Sequence, residues 1–194
     1  MQLLLKKQYY EEEIKKSKFI VKAFPVTQVQ QAMQLLQENM DPQATHNCWA
    51  YKIGQEYRFS DDGEPGGTAG RPILQAIESQ QLMDVFVLVI RYFGGVKLGT
   101  GGLVRAYGGC AAKCLQQAET ITCVPKTTVY CTCPFSEIER LRAKLTTVTI
   151  EKEDYDDKGV IWQLLIPDND VSIIEQWHQN ITRGQAIWSV KNGE

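Results

Sequence analysis

Long apolar runs are missing from this 194-residue sequence. The strongest, Val85–Ile90, is far short of the roughly 20 residues that a membrane-spanning helix needs. Met1–Leu5 is largely apolar, but Lys6, Lys7 and a polar run through Lys18 follow before any stretch of secretory-signal length, so an intracellular protein is expected. Histidine is scarce, with two in the chain, and the six cysteines include no Cys-x-x-Cys pair, so a structural zinc site is not expected. Cys110 and Cys114 have helical spacing, while Cys131 and Cys133 share a strand face. Free, packed thiols in a reducing cytoplasm follow from that placement. Acidic residues are absent between Asp84 and Glu119, an interval that holds Arg91, Lys97, Arg105 and Lys113.

What remains is an ordinary globular composition, 43% hydrophobic and 23% charged, with a net charge of -2. Lys and Arg exceed Asp and Glu by one over residues 1–125 and fall short by three over residues 126–194. Residue patterns place a strand at the start, a polar turn around Glu11–Lys18, and a strand over Phe19–Phe24. A helix follows, with Thr27 as its cap and Val29, Ala32, Met33, Leu35 and Leu36 at helical spacing. Strands at Asn47–Ile53 and Tyr57–Ser60 precede a loop over Asp61–Gly70, and Pro72 suits the first turn of the next helix. Val85–Ile90 reads as a strand buried on both faces, followed by a glycine-rich loop and a helix carrying Leu103, Tyr107, Cys110 and Cys114. Beyond Lys126 the order is β-α-β-β-α-β, with strands over 127–133, 148–153, 160–166 and 186–190 and helices over 136–145 and 170–180. The expectation is an α+β protein of two domains, 1–125 and a ferredoxin-like 126–194.

Twelve of the 15 glycines lie between Gly54 and Gly109. In the loop Arg91–Gly102, Gly94, Gly95, Gly99, Gly101 and Gly102 allow the backbone to turn N–H groups toward one anion. The start of the next helix adds a partial positive potential. Arg91, Lys97 and Arg105 are the candidate phosphate contacts, and Tyr92 or Phe93 the candidate stacking partners. The loop is not a nucleotide P-loop, because Lys97-Leu98-Gly99-Thr100 lacks the Gly-Lys-Ser/Thr ending, and its spacing is not the dinucleotide fingerprint. Asp61, Asp62 and Glu64 read as a loop or ion-pair network with Arg71, Arg91 or Arg105, near His46. The same carboxylates around a cation, with Arg91 or Lys97 for an oxyanion, define the alternative of a metal-assisted hydrolase or phosphoryl-transfer enzyme. His46 and Cys48 share a strand face and permit a Cys/His/acid arrangement with Asp61 or Asp62. A buried thiol beside a hydrogen-bonded histidine explains them more simply. No cofactor or metal is expected.

Several segments together resemble the IMPACT family, including its bacterial YigZ-like members. They are Lys16–Phe19, His46–Ala50, Phe59–Pro65, Thr68–Gly70, Arg91–Gly95 and Leu98–Tyr107. The resemblance implies a first domain similar to domain IV of elongation factor G and a second similar to its domain V. Eukaryotic relatives look like translational regulators that bind the activator of an initiation-factor kinase. Bacterial relatives point to nucleic acid or the ribosome. The resulting expectation is a non-enzymatic, cytoplasmic protein that binds RNA, the ribosome or a translation-associated protein, with no membrane partner.

Overall fold

The computed structural model describes residues 1–190, and the contacts divide the chain into two compact units, one of Met1–Cys123 and one from Val124 onward. The first unit begins with strands β1 (Gln2–Leu4), β2 (Gln8–Ile14) and β3 (Ser17–Pro25). β2 runs through the first half of the segment expected to be a turn, as far as Ile14. Its alternate positions Tyr10 and Ile14 pack against the core, so the chain stays extended until Lys15 and Lys16, which reverse it at φ 48° and 66°. Helix α1 (Val29–Asn39) starts one residue later than a Thr27 cap would place it. Gln28 holds the cap position without a side-chain hydrogen bond, and the Gln31 side chain accepts from the Thr27 N–H.

Strands β4 (His46–Ile53) and β5 (Glu56–Ser60) form a hairpin, followed by α2 (Gly70–Ser79), β6 (Leu82–Met83), β7 (Val85–Tyr92), α3 (Thr100–Gln116) and β8 (Thr120–Thr122). The main sheet has the order β2-β3-β7-β4-β5, antiparallel throughout, while β1 lies between β6 and β8 in a small sheet. β7 is central and helices cover both of its faces, which is why it is apolar at every position from Val85 to Ile90. Val85, Val87 and Val89 pack with Phe19, Val21, Cys48 and Ala50 against α2 and α3. Phe86, Leu88 and Ile90 pack with Trp49 and Tyr51 against α1. Each fully buried side chain of this kind contributes about 1.5–3 kcal/mol of transfer free energy.

The second unit contains β9 (Lys126–Pro134), a short 3-10 turn (Phe135–Glu137), α4 (Ile138–Arg142), β10 (Thr149–Tyr155), β11 (Gly159–Pro167), α5 (Val171–Thr182) and β12 (Trp188–Val190). The strand order is β10-β11-β9-β12, all antiparallel. The first helix is shorter than its expected span, because after Arg142 the chain passes into turns closed by bonds from Lys144 N–H to the Leu141 carbonyl and from Leu145 N–H to the Arg142 carbonyl. Trp162, Leu164 and Ile166 on the central strand meet Ile138, Leu141 and Ile174 from the helices. The Trp162 indole N–H donates to Glu153 at 2.7 Å, which satisfies its polar end. All six cysteines are free, and Cys123 alone among them is exposed. Among the described residues no helix is long and apolar enough to cross a membrane.

The first unit closes its own sheets and has its own core, so residues 1–123 expressed alone should unfold in one cooperative transition. Dispersed amide resonances and coincident fluorescence and circular-dichroism melts are the expected signature. A collapsed fragment with poorly dispersed amides contradicts that independence.

Candidate functional site

The row of residues that crosses the main sheet at Arg91 organises the site. Register places Phe19 on β3 and His46 on β4 beside Arg91 on β7, so all three face α2 and α3. Arg91 occupies the next place on the face that buries Val85, Val87 and Val89, and it is only 5% exposed. A charge in that position needs a partner, since an unpaired buried guanidinium is costly. Its Nη1 donates to Glu64 Oε1 at 2.6 Å and its Nη2 to Ser17 Oγ at 3.3 Å. Its centre lies 5.7 Å from the Phe19 ring and 5.6 Å from the Phe93 ring. From α3, the Tyr107 hydroxyl donates to the same Glu64 oxygen at 2.7 Å. Burial, above all, raises the Tyr107 phenol well beyond its ordinary range and keeps it a donor.

This geometry corrects the expectation that Arg91 contacts phosphate from an exposed position. The side chain is internal and committed to Glu64. Tyr92 is also displaced from the proposed stacking role. It lies on the opposite sheet face, packs with the α1 side of the core and donates its hydroxyl to Asp41. Phe93, by contrast, is exposed. Among the described residues, Glu64 is the one of the three loop carboxylates that holds a cation. Asp61 instead accepts backbone N–H groups of Gly67, Ala69 and Gly70 at 2.7–2.9 Å, satisfying donors at the start of α2. Asp62 accepts the Asn47 N–H at 2.5 Å. Arg71 is exposed in the first turn of α2, with no ion pair among the described residues.

The enzyme alternative requires those carboxylates to converge, and they point to different partners. Among the described residues, no group of three or more His, Cys, Asp or Glu is placed to hold a metal ion. His46 and Cys48 do share a face, but they serve different carbonyls. His46 Nδ1 lies 2.7 Å from the Asp62 carbonyl and so carries the proton, leaving Nε2 3.7 Å from Glu64 Oε2. The Cys48 thiol donates to the Asp61 carbonyl at 3.0 Å, and burial pushes its pKa up to about 12. A thiol so held is a poor nucleophile near neutral pH.

A pocket of about 370 Å³ opens above this buried network. His46, Glu64 and Arg91 contribute to its polar lining; Pro65, Phe93, Leu98 and Leu103 make its apolar wall; Lys97, Gly99 and Thr100 complete it beside Thr45. Lys97 and Arg105 are exposed without an ion pair among the described residues. Gly99 takes φ 73°, α3 has no side-chain cap, and its first turn has no acidic residue. Gly101 and Gly102 fall in that first turn, and Gly95 adopts φ 84° within the loop. Gly94 serves a different purpose: a Cβ there would stand 1.8 Å from the Lys16 carbonyl, so the loop closes on the β2–β3 turn only with glycine. With Glu64 paired to Arg91 inside, Lys97 is the exposed charged residue of the lining. Thr45, Leu98 and Leu103 carry no sequence signal for a site. Tyr107 is legible as core from its spacing, but the hydroxyl that reaches Glu64 is not.

The Impact N-terminal domain model matches residues 15–115, the segment that carries the whole pocket. The chain belongs to the IMPACT family. An IMPACT family member of Thermus thermophilus, in the pol 5′ region, is 48% identical over 155 residues, covering 79% of this chain and 86% of that protein. The family member YvyE of Bacillus subtilis is 31% identical over 191 residues, covering 95% and 87% of the two chains. A crystal structure of a hypothetical protein at 31% identity superposes with a TM-score of 0.64, covering 100% of this chain and 98% of that one. The family likeness therefore extends through both units.

Glu64→Ala leaves the Arg91 charge buried without its anion, so stability should fall by about 3 kcal/mol. Urea denaturation of the full chain measures this; a loss below about 1 kcal/mol would show that water or a rearranged side chain replaces Glu64. Thiol exposure makes a separate expectation. At about pH 8, Ellman's reagent should label one cysteine quickly in the native protein, and Cys123→Ser should remove that phase while Cys48 stays inert.

Proposed function

We propose that the chain is a non-enzymatic protein of the cytoplasm that binds RNA, alone or as part of the ribosome, through the mouth of this pocket. The observation that carries the reading is the grouping of Lys97 and the uncapped start of α3 beside the exposed ring of Phe93, with Arg105 in the second turn of the same helix. Lysine and helix N-terminal N–H groups are the usual partners of phosphate oxygens, and an exposed aromatic face suits a base. The acid-free interval keeps carboxylates of the same segment from competing for those cations. Fold supports the reading as well. The family resemblance implies a first unit similar to domain IV of elongation factor G and a second similar to domain V, both of which belong to a protein that works on the ribosome. That likeness is an analogy of architecture and carries less weight than the site. Eukaryotic members of the family look like translational regulators, and a role in translation or a stress response is the corresponding proposal here.

The decisive comparison is Lys97→Gln against the wild type, with short single-stranded RNA titrated by fluorescence anisotropy over several salt concentrations. Lys97 is exposed, so the substitution removes charge without disturbing the core. Affinity should drop, and the slope of log affinity against log salt should flatten by about 0.7, the value of one single-strand phosphate contact. Identical slopes would remove Lys97 from the contact set. Absence of saturable binding by the wild type would sink the RNA reading in favour of a protein partner.

A further inference from the structure

The pocket has features that a purely electrostatic groove does not need. Its wall is formed by Pro65, Phe93, Leu98 and Leu103, all apolar. Its polar lining includes Arg91, whose Nε is buried and, among the described residues, has no hydrogen-bond partner. Glu64 and Ser17 engage Nη1 and Nη2, which leaves Nε as the guanidinium nitrogen without a partner among the described residues. Glu64 Oε2 has His46 Nε2 at 3.7 Å, beyond hydrogen-bonding distance, and so keeps acceptor capacity. The same pocket reaches Gly99 and Thr100, where the 17-residue helix α3 starts without a side-chain cap, next to Lys97. A helix start beside a lysine, an apolar wall and an unpartnered guanidinium nitrogen with a nearby carboxylate acceptor therefore line one cavity of about 370 Å³. That size lies within the range of roughly 300–1,000 Å³ typical of small-ligand sites.

We propose that this pocket takes a single 5′-phosphorylated nucleotide. Its phosphate sits at the start of α3 beside Lys97, its base lies against Phe93 and the apolar wall, and the polar edge of the base meets Arg91 and Glu64. Inorganic phosphate would leave the apolar wall uncovered. An aliphatic anion would leave the Arg91 donor and Glu64 acceptor unmatched. A nucleotide supplies the anion, a flat apolar face and an edge with donors and acceptors. The proposal rests on the RNA-binding reading and specifies the unit recognised. That unit has two sources with the same chemistry: a free nucleotide, or one nucleotide of a single strand turned out of its stack.

The test uses the full chain and four probes: adenosine 5′-monophosphate, adenosine, inorganic phosphate and a short single-stranded oligoadenylate. Binding is followed by calorimetry and by amide shifts of Thr100 and Gly101. The monophosphate should bind saturably at one site, more tightly than adenosine or phosphate by about tenfold or more each. Phe93→Ala should weaken the monophosphate about tenfold while leaving phosphate unchanged, a split that loss of folding cannot produce. Lys97→Gln should weaken the monophosphate and phosphate alike. Equal affinities for monophosphate and phosphate overturn the proposal. So does oligoadenylate binding that ignores Phe93→Ala and has no monophosphate counterpart, although the RNA-binding reading then stands. Monophosphate binding with the stated dependence, but no oligoadenylate binding, upholds the pocket and makes the free nucleotide its ligand, at the expense of the RNA reading. Failure of all four probes overturns both.

Discussion

The ion pair between Arg91 and Glu64 is the constraint on which the first unit's working end depends. Arg91 continues a row of buried valines on β7, and the fold accepts a charge there only because Glu64 reaches it at 2.6 Å. That one contact obliges the loop after β5 to return across the sheet. It draws in Tyr107 from α3, which donates to the same oxygen, and Ser17 from the start of β3, which receives the other guanidinium nitrogen. Ser17 Oγ also accepts the Gly94 N–H at 3.3 Å, so the glycine loop is tied to the same cluster. A buried pair of this kind adds little net stability compared with a well-packed apolar substitute, but breaking it is expensive. Its contribution here is to define where four separate segments must meet.

The electrostatics of the pocket follow from that arrangement. Glu64 would otherwise repel an anion; paired with Arg91 and hydrogen-bonded by Tyr107, it becomes part of a nearly neutral floor. The field at the mouth is then set by Lys97 and by unpaired N–H groups at the start of α3. The other two loop acids are held by backbone N–H groups and keep their charge. Asp61 is absorbed into the start of α2 and Asp62 into the backbone of β4.

The second unit differs in character. Its core is built around Trp162, and its charges pair locally, as in Arg142 with Glu153 and Lys152 with Asp154. Its excess of acidic over basic residues gives it no general attraction for nucleic acid. On charge grounds the proposed interaction with a polyanion belongs to the first unit.

Periodicity and punctuation made much of this architecture legible without coordinates. The continuous apolar run of β7, the helical spacing of Leu103, Tyr107, Cys110 and Cys114, and the β-α-β-β-α-β order after Lys126 all follow from local rules of backbone geometry and burial. Local rules also located the glycine-rich loop and the start of α3. They failed where a residue's role depends on a distant neighbour. β2 extends to Ile14 because Tyr10 and Ile14 find a core that no local window contains. Arg91 and Lys97 look alike in a charge count, yet one lies inside and the other outside. The register of β3, β7 and β4, together with the return of the Glu64 loop, sets that difference. Sequence alone determined which chemical groups were available and which elements would carry them. Tertiary structure decided which of those groups were spent on one another and which were left facing solvent, because burial and pairing are properties of neighbours far apart in the chain.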